Sequence, residues 1–312
     1  MELELTRFRY LHPLKKLPPL NSIVRLVLVV CCAATLVACS RQTVDLKLNL
    51  AEGKTFDYAF DYEIIQKADG REVTTNLAMA YTVEVLPSPG PSRTMKATYN
   101  RVAMKIQTAE QTMEIDTDQP TLQYDPASTN PVHVFALAFQ RLIGRSFTVT
   151  TTPNGDIDTV AGFQTIMRGV LDSLPVSEEA KLDVAQAMEQ QFSDDAVKRM
   201  FEQTFNIFPG KPVAVNADWT KQTTTPANLL QNIETENTYT LDQIEGNSVK
   251  LSLKSDINTG SGDLFGMQTG TLVVDVPTGL VVHGVIRQNF KSKSGAQPLE
   301  LTSTGTVTSL ER

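Results

Sequence analysis

The chain has 312 residues, 28 of them basic and 35 acidic, and its net charge of −7 argues against nucleic acid and anionic lipid headgroups as partners. All three cysteines lie within the first 39 residues, so the rest of the chain can form no disulfide and no thiolate metal site. Hydrophobic residues make up 41% of the sequence, which supports a sizeable core. We therefore expect a globular domain that is stabilised by its core alone.

Residues 1–38 have the pattern of a secretory signal. A basic stretch ends at Arg25, and an apolar run over 26–36 leads into small residues before Cys39. This run fits the apolar core of about 7–15 residues in a signal peptide and is too short for a spanning helix of about 20. The motif Leu36-Val37-Ala38-Cys39 resembles the lipobox of bacterial lipoproteins. The resemblance implies cleavage before Cys39 and acylation of that cysteine, including a palmitate chain.

The lipobox resemblance also predicts a location. Ser40 stands where an aspartate would signal retention at the inner membrane, which favours the periplasmic face of the outer membrane. Segment 1–38 holds five basic and two acidic residues, so the mature chain carries a net charge of −10. Several acyl chains, at about 0.8 kcal/mol per buried CH₂, would hold it on the membrane almost permanently. An ordinary cleaved signal peptide and an uncleaved anchor are the alternatives.

The first part of the mature chain reads as strands, because its hydrophobic residues alternate with a period of two. Residues 42–50 show the pattern, but the strongest case places five apolar side chains on one face: Phe56, Tyr58, Phe60, Tyr62 and Ile64. Further strands are predicted at 77–85, 94–107 and 111–116.

The period then changes, and residues 131–208 are predicted to be mainly helical. Apolar residues recur at helical spacing over 163–174 and again over 197–205. A hairpin interrupts the helices at 147–159, where Asn154-Gly155 is a strong turn signal.

Strands resume near Val213, and no alternation of strands and helices appears, so the sheet is predicted to be antiparallel. Large twisted sheets tend to curl, and one apolar face must be covered. We therefore predict an α+β fold: a large, curled, half-barrel-like antiparallel sheet with the helical insertion 131–208 packed on one face. Residues 39–312 are expected to form this single mature domain.

Three pieces of the chain resemble a family of uncharacterised β-rich bacterial lipoproteins: Leu46–Leu50, Asp218-Trp219 and the stretch from Gly270 to Leu280. The half-barrel pattern is similar to that of lipoprotein-sorting carriers and of lipid-binding lipoproteins. These motifs are structural, so the resemblance implies a fold and an anchor but no reaction.

No catalytic or metal-binding pattern stands out in the mature chain. A nucleophile elbow, a phosphate loop and a dinucleotide fingerprint are absent from the sequence. Its two histidines, His133 and His283, are better explained as structural and surface residues, and Asn154–Asp158 as a hairpin turn rather than a calcium loop. We predict no cofactor, no metal and no enzymatic activity, with a hydrolase as the less favoured alternative.

The aromatic face of the strand at 56–64 is the most suggestive feature for function. One hypothesis makes it the wall of a cavity for a lipid or another hydrophobic molecule, because aromatic rings and flexible methionines suit an irregular apolar ligand. Its predicted residues are Phe56, Tyr58, Phe60, Tyr62, Met79, Tyr81 and Met167. The alternative is a filled core, in which case the lipoprotein has a structural role or binds another envelope protein. The ligand-binding hypothesis requires this face to be open, and the filled-core hypothesis requires it to be packed.

Overall fold

The structure is a computed structural model that describes residues 42–119, 131–178, 181–182, 185, 194–227, 231–258, 264–292 and 299–312. The predicted signal peptide and Cys39 lie outside these residues. Residues 43–312 form one compact unit.

Most of the described residues lie in strands. The strands are β1 (Thr43–Val44), β2 (Thr55–Ala68), β3 (Arg71–Leu86), β4 (Arg93–Gln107), β5 (Thr112–Asp116), β6 (Ser146–Thr151), β7 (Ile157–Ala161), β8 (Val213–Ala214), β9 (Asp218–Ala227), β10 (Gln231–Glu245), β11 (Ser248–Asn258), β12 (Leu264–Asp275), β13 (Val281–Ser292) and β14 (Glu300–Glu311). The described helices are α1 (Pro131–Leu142), α2 (Phe163–Asp172) and α3 (Asp194–Phe205). None of these helices has the length and apolar character needed to cross a membrane.

Twelve of the strands form one antiparallel sheet in the order β7-β6-β4-β3-β2-β14-β13-β12-β11-β10-β9, with β5 paired to β4. The predicted antiparallel sheet is therefore confirmed, whereas its half-barrel curvature stays a prediction. Tight turns join most neighbours; Asp69-Gly70, for example, has positive φ at both residues, as a two-residue hairpin loop requires. The last strand, β14, lies beside β2 in the middle of the sheet.

The hairpin inside the predicted helical segment belongs to this sheet, since β6 pairs with β4 and β7 with β6. Its turn lies against the end of α3: a Cβ on Gly155 would collide with the carbonyl oxygen of Phe205. A glycine with φ of +82° is therefore required there by both space and backbone conformation.

The prediction of a strand over 42–50 is only partly right. Strand pairing is limited to β1, which pairs with β8, although Leu46, Leu48 and Leu50 are buried in alternation as predicted. The backbone beyond β1 bonds to two separate turns: Leu48 N–H donates to Pro153 O, and Asn49 N–H donates to Thr278 O. An extended segment held in this way has no neighbouring strand and forms no ladder.

Candidate functional site

Six of the seven predicted ligand-binding residues lie on one face of the sheet, which we call the inner face, and the seventh, Met167, lies on a helix in the same hydrophobic core. Phe56, Tyr58, Phe60 and Tyr62 lie on β2, Met79 and Tyr81 on β3, and Met167 on α2. All are buried except Tyr62, which is half-buried. The ring centroids of Tyr58 and Phe60 are 5.2 Å apart, and those of Phe60 and Tyr81 are 6.2 Å apart. We call these seven residues the aromatic wall.

Rings from other elements pack directly against this wall. The ring centroid of Phe205 on α3 lies 5.9 Å from that of Tyr58, and Phe201 lies 6.5 Å from Tyr81. Phe147 on β6 meets Tyr81 edge to face at 6.3 Å. Such separations are typical of packed aromatic pairs in a core. The helical stripe that holds Phe201 and Phe205 was visible in the sequence, but nothing local indicated where it would dock.

Among the described residues, the space beside the wall is small. A cavity of about 40 Å³ lies between α3 and the sheet and is lined in part by Phe60, Tyr62, Thr204 and Ser303. Ligand pockets usually enclose about 300–1,000 Å³, whereas one water takes up about 30 Å³. In this structure the aromatic wall is therefore filled by protein.

The wall tyrosines are held in their neutral form. Burial raises the pKa of Tyr58 and of Tyr81 far above the ordinary tyrosine value, and it raises the pKa of Tyr62 to about 12. The Tyr81 hydroxyl donates to Met79 Sδ at 3.3 Å, whereas the Tyr58 hydroxyl has no hydrogen-bond partner among the described residues. Neutral, buried phenols of this kind are not poised for acid–base chemistry at neutral pH.

A second inner-face feature was missed by the sequence analysis. It is a chain of neutral polar side chains that crosses six neighbouring strands, and we call it the amide ladder: Thr223, Asn237, Ser255, Gln268, Gln288 and Ser303. Asn237 Nδ2 donates to Thr223 Oγ1 at 2.8 Å, and Asn237 Oδ1 accepts from both Gln268 Nε2, at 3.1 Å, and Ser255 Oγ. Gln288 links Gln268 to Ser303.

The ladder is buried and internally satisfied. Asn237 is 2% exposed, yet its side-chain amide donates one hydrogen bond and accepts two. Beyond the ladder lies a separate small apolar cluster formed by Ile257 and Phe290 with Leu301 packed against it. Buried amides that bond to one another are favourable only when every partner is in place, so this half of the inner face depends on strand register.

The opposite, outer face of the sheet carries two concavities. One of about 400 Å³ and one of about 320 Å³ lie over β14, β2, β3 and β4. Outer-face residues of the same strands contribute to both linings, and we call the two concavities together the outer groove. Its floor consists of four alanines, which are Ala59, Ala78, Ala80 and Ala103. Ala59 pairs with Ala80 and Ala78 with Ala103 across neighbouring strands.

Charged side chains form the rim of the outer groove, and most of them are already paired. Arg101 binds Asp116 through two hydrogen bonds of 2.8 and 3.1 Å, and Arg312 Nη2 lies 2.6 Å from Asp57 Oδ1. Lys105 Nζ is 3.9 Å from a Glu114 oxygen. The hydrogen bond from Arg101 lowers the pKa of Asp116, so this carboxylate is ionised at neutral pH.

Two rim carboxylates stand apart from these pairs. Asp61 and Glu63 are exposed on β2 at positions that share the outer face, and neither has an ion pair within 4 Å in the described part of the chain. The charge of Asp61 does contribute to raising the pKa of Arg101. The groove thus has a small-residue floor and, on one strand, two carboxylates that form no ion pair with any described residue.

The remaining residues from the sequence analysis are dispersed. His283 is exposed on β13, and the side chain of His133 lies outside the described residues. In the turn at 154–158, the Asp156 carboxylate accepts a hydrogen bond from Thr152 Oγ1 at 3.1 Å. Within the described ranges, no group of three or more His, Cys, Asp or Glu side chains is arranged to hold a metal ion.

Residues 91–281 match the model of a family of unknown function, DUF6263. The chain belongs to this family. No characterised protein matches the sequence of this DUF6263 member. The match confirms that the chain belongs to a family of unknown function, and the large sheet confirms that the chain is β-rich. Lipoprotein status stays a prediction.

Solved structures show only remote likeness to this DUF6263 chain. Lipovitellin shares 11% identity at a TM-score of 0.46; the match covers 84% of this chain and only 25% of lipovitellin. The β domain of the Bordetella autotransporter BrkA shares 7% identity at a TM-score of 0.30, with coverages of 81% and 98%. An outer membrane channel from Pseudomonas putida F1 shares 5% identity at a TM-score of 0.27, and the match covers 84% of this chain and 97% of the channel. Similarity at this level carries no argument about function.

Proposed function

We propose that the mature chain is a lipid-anchored, non-enzymatic protein of the bacterial envelope that binds a protein partner on the outer face of its sheet. The filled aromatic wall carries this proposal. Because Phe201 and Phe205 of α3 pack where an acyl chain would lie, the inner face is a core that supports the sheet. The concave space available for recognition lies instead in the outer groove.

The anchor is supported by the lipobox-like motif that ends at Cys39. Cells expressing the full chain are grown with labelled palmitate, the protein is isolated, and the label that it carries is measured. Wild type is expected to incorporate label and to fractionate with the outer membrane, whereas Cys39→Ala incorporates none. Label retained by Cys39→Ala would exclude this site of acylation. Cys31→Ala is the matched control and is expected to label like wild type.

Partner binding is tested by placing a photo-crosslinking amino acid at single exposed positions in the full chain. Asn100 lies on the groove, and Lys254 is exposed on the outer face of β11, away from it. We expect one dominant crosslinked protein from position 100 and none from position 254. Identical adducts from the two positions, or no adduct from position 100, would contradict a partner site in the groove.

A second candidate function is the binding of a hydrophobic ligand at the aromatic wall. The observation that favours it is the cavity of about 40 Å³ beside Phe60 and Tyr62, under α3. A lipid could occupy this region only if α3 moved away from the sheet. Native mass spectrometry of the mature protein tests it: a lipid that co-purifies in stoichiometric amount would favour this function over the filled core, and bare protein would reject it.

A further inference from the structure

The outer groove has the dimensions of an extended peptide. From Asp57 to Glu63 it follows seven residues of β2, whose six steps of about 3.3 Å span about 20 Å. The paired alanines of its floor project only a methyl group each, so another backbone can approach the sheet closely between the longer rim side chains.

The two unpaired carboxylates define a spacing. Asp61 and Glu63 are two residues apart on one strand, so they point to the same side and their Cα atoms are separated by about 6.6 Å. Side chains two residues apart in an extended peptide have the same separation and the same direction. Basic side chains at positions i and i+2 of a peptide lying along β2 would therefore meet both carboxylates at once.

The other end of the groove favours an apolar contact. Next along the outer face of β2 after Asp61 comes Ala59, followed by Asp57, whose cross-strand neighbour is Leu310. Leu310 is 71% exposed, so its apolar side chain is available for contact at this end of the groove. An apolar residue at position i+4 of the same peptide would lie over Ala59, and a long side chain there would reach Leu310, the diagonal neighbour of Ala59 on β14.

We propose that the occupant of the outer groove is an extended polypeptide segment with the pattern basic-x-basic-x-apolar. This inference rests on the proposed partner-binding function and specifies the chemistry of the partner. The two carboxylates bind the basic side chains, the alanine floor accommodates the backbone, and Leu310 contacts the apolar residue.

The test uses fluorescence anisotropy with the full mature protein in detergent at low salt. The probe is a labelled peptide, Lys-Ala-Lys-Ala-Leu-Ala. Its matched control, Lys-Lys-Ala-Ala-Leu-Ala, has the same composition but places its lysines on opposite sides of an extended chain. We expect the probe to bind roughly tenfold more tightly than the control, and salt to weaken the binding because the carboxylates are exposed.

Variants of the protein locate the binding. Asp61→Asn combined with Glu63→Gln is expected to abolish the roughly tenfold preference, as is Ala78→Phe, which fills the groove from an outer-face position. The control variant changes two exposed carboxylates on other strands, Glu236→Gln with Asp256→Asn, and should retain the preference. Equal binding of the two peptides by wild type, or a preference unaffected by both groove variants, would overturn the inference.

Failure of this inference can be distinguished from failure of the proposed partner-binding function. A crosslinked partner from position 100 combined with equal binding of the two peptides would leave partner binding in place and reject the basic-x-basic-x-apolar occupant. Absence of the crosslinked partner would remove the premise itself.

Discussion

The two halves of the inner face are buried by different kinds of side-chain contact. Both are buried against the same sheet, but the half around β2, β3 and β6 is filled with aromatic rings, whereas the half from β9 to β14 contains the amide ladder. Ring contacts in the first half range from stacked to perpendicular. Rings tolerate this variety, while an amide needs its partner at about 3 Å with good alignment. Packing in the aromatic half thus tolerates varied ring geometry, whereas the ladder in the other half requires the correct strand register.

The largest expected effect lies in the aromatic half. Phe201→Ala removes a ring that contacts Tyr81, Phe147 and Phe205, and it should lower the free energy of unfolding by about 3–5 kcal/mol. Denaturant unfolding followed by circular dichroism measures the change. Leu182→Ala, at a side chain that is 70% exposed, serves as the control and should change stability by less than about 0.5 kcal/mol. A loss below about 1 kcal/mol for Phe201→Ala would show that α3 is not part of the core.

Replacing the central residue of the amide ladder should lower the free energy of unfolding somewhat less than Phe201→Ala does. Asn237→Leu removes the hydrogen-bond partner of Thr223 Oγ1, Ser255 Oγ and Gln268 Nε2, and it should cost about 2–3 kcal/mol despite the added apolar volume. Asn289→Leu, at an exposed position on β13, is the matched substitution and should be nearly neutral. If both variants unfold at the same denaturant concentration as wild type, stability does not depend on the ladder.

A gain in stability is expected where the aromatic half contains an unsatisfied hydroxyl. Tyr58→Phe removes a buried group that has no hydrogen-bond partner, and it should raise the free energy of unfolding by about 1 kcal/mol. Tyr81→Phe removes a hydroxyl that donates to Met79 and should give no such gain. Thermal and denaturant unfolding of the two variants test this prediction. It is contradicted if Tyr58→Phe is less stable than Tyr81→Phe.

The smallest effect is expected on the outer face, outside both halves. Asp116→Asn breaks the bidentate bond to the partly exposed Arg101 and should cost only about 0.5–1 kcal/mol at pH 7. Because folding lowers the pKa of Asp116, the stabilisation is present above the ordinary aspartate pKa of about 3.9 and is lost as the pH falls through the folded value. Unfolding measured from pH 7 down to pH 2 should show the two proteins converging in acid.

Local patterns in the sequence were sufficient to predict strands, turns and the buried face of β2. Alternation identified Phe56, Tyr58 and Phe60 as one face, and Asn154-Gly155 identified the hairpin. The pairing of β2 with β14, and the docking of Phe201 on Tyr81, could not be predicted, because they join residues far apart in the chain and leave no local signal.

The ladder and the outer groove were missed for a related reason. Asn237 shares the phase of Tyr239 and Leu241, so its inward position could have been inferred, but a lone amide in a strand usually indicates an exposed face. Its partners Ser255 and Gln268 lie on two other strands and become neighbours only through the register of the sheet. Likewise, the alanines of β2, β3 and β4 form a floor only once those strands are aligned.

The central position of β14 has a consequence for how the chain is made. Synthesis supplies the amino-terminal strands first, so β2 is complete long before the strand that must lie beside it. Until then β2 and β13 each present an unpaired edge, the kind of surface that pairs wrongly with other chains. A nascent or truncated chain lacking its last dozen residues therefore exposes the edges of β2 and β13 to other chains, and such a fragment is a natural substrate for chaperones and proteases.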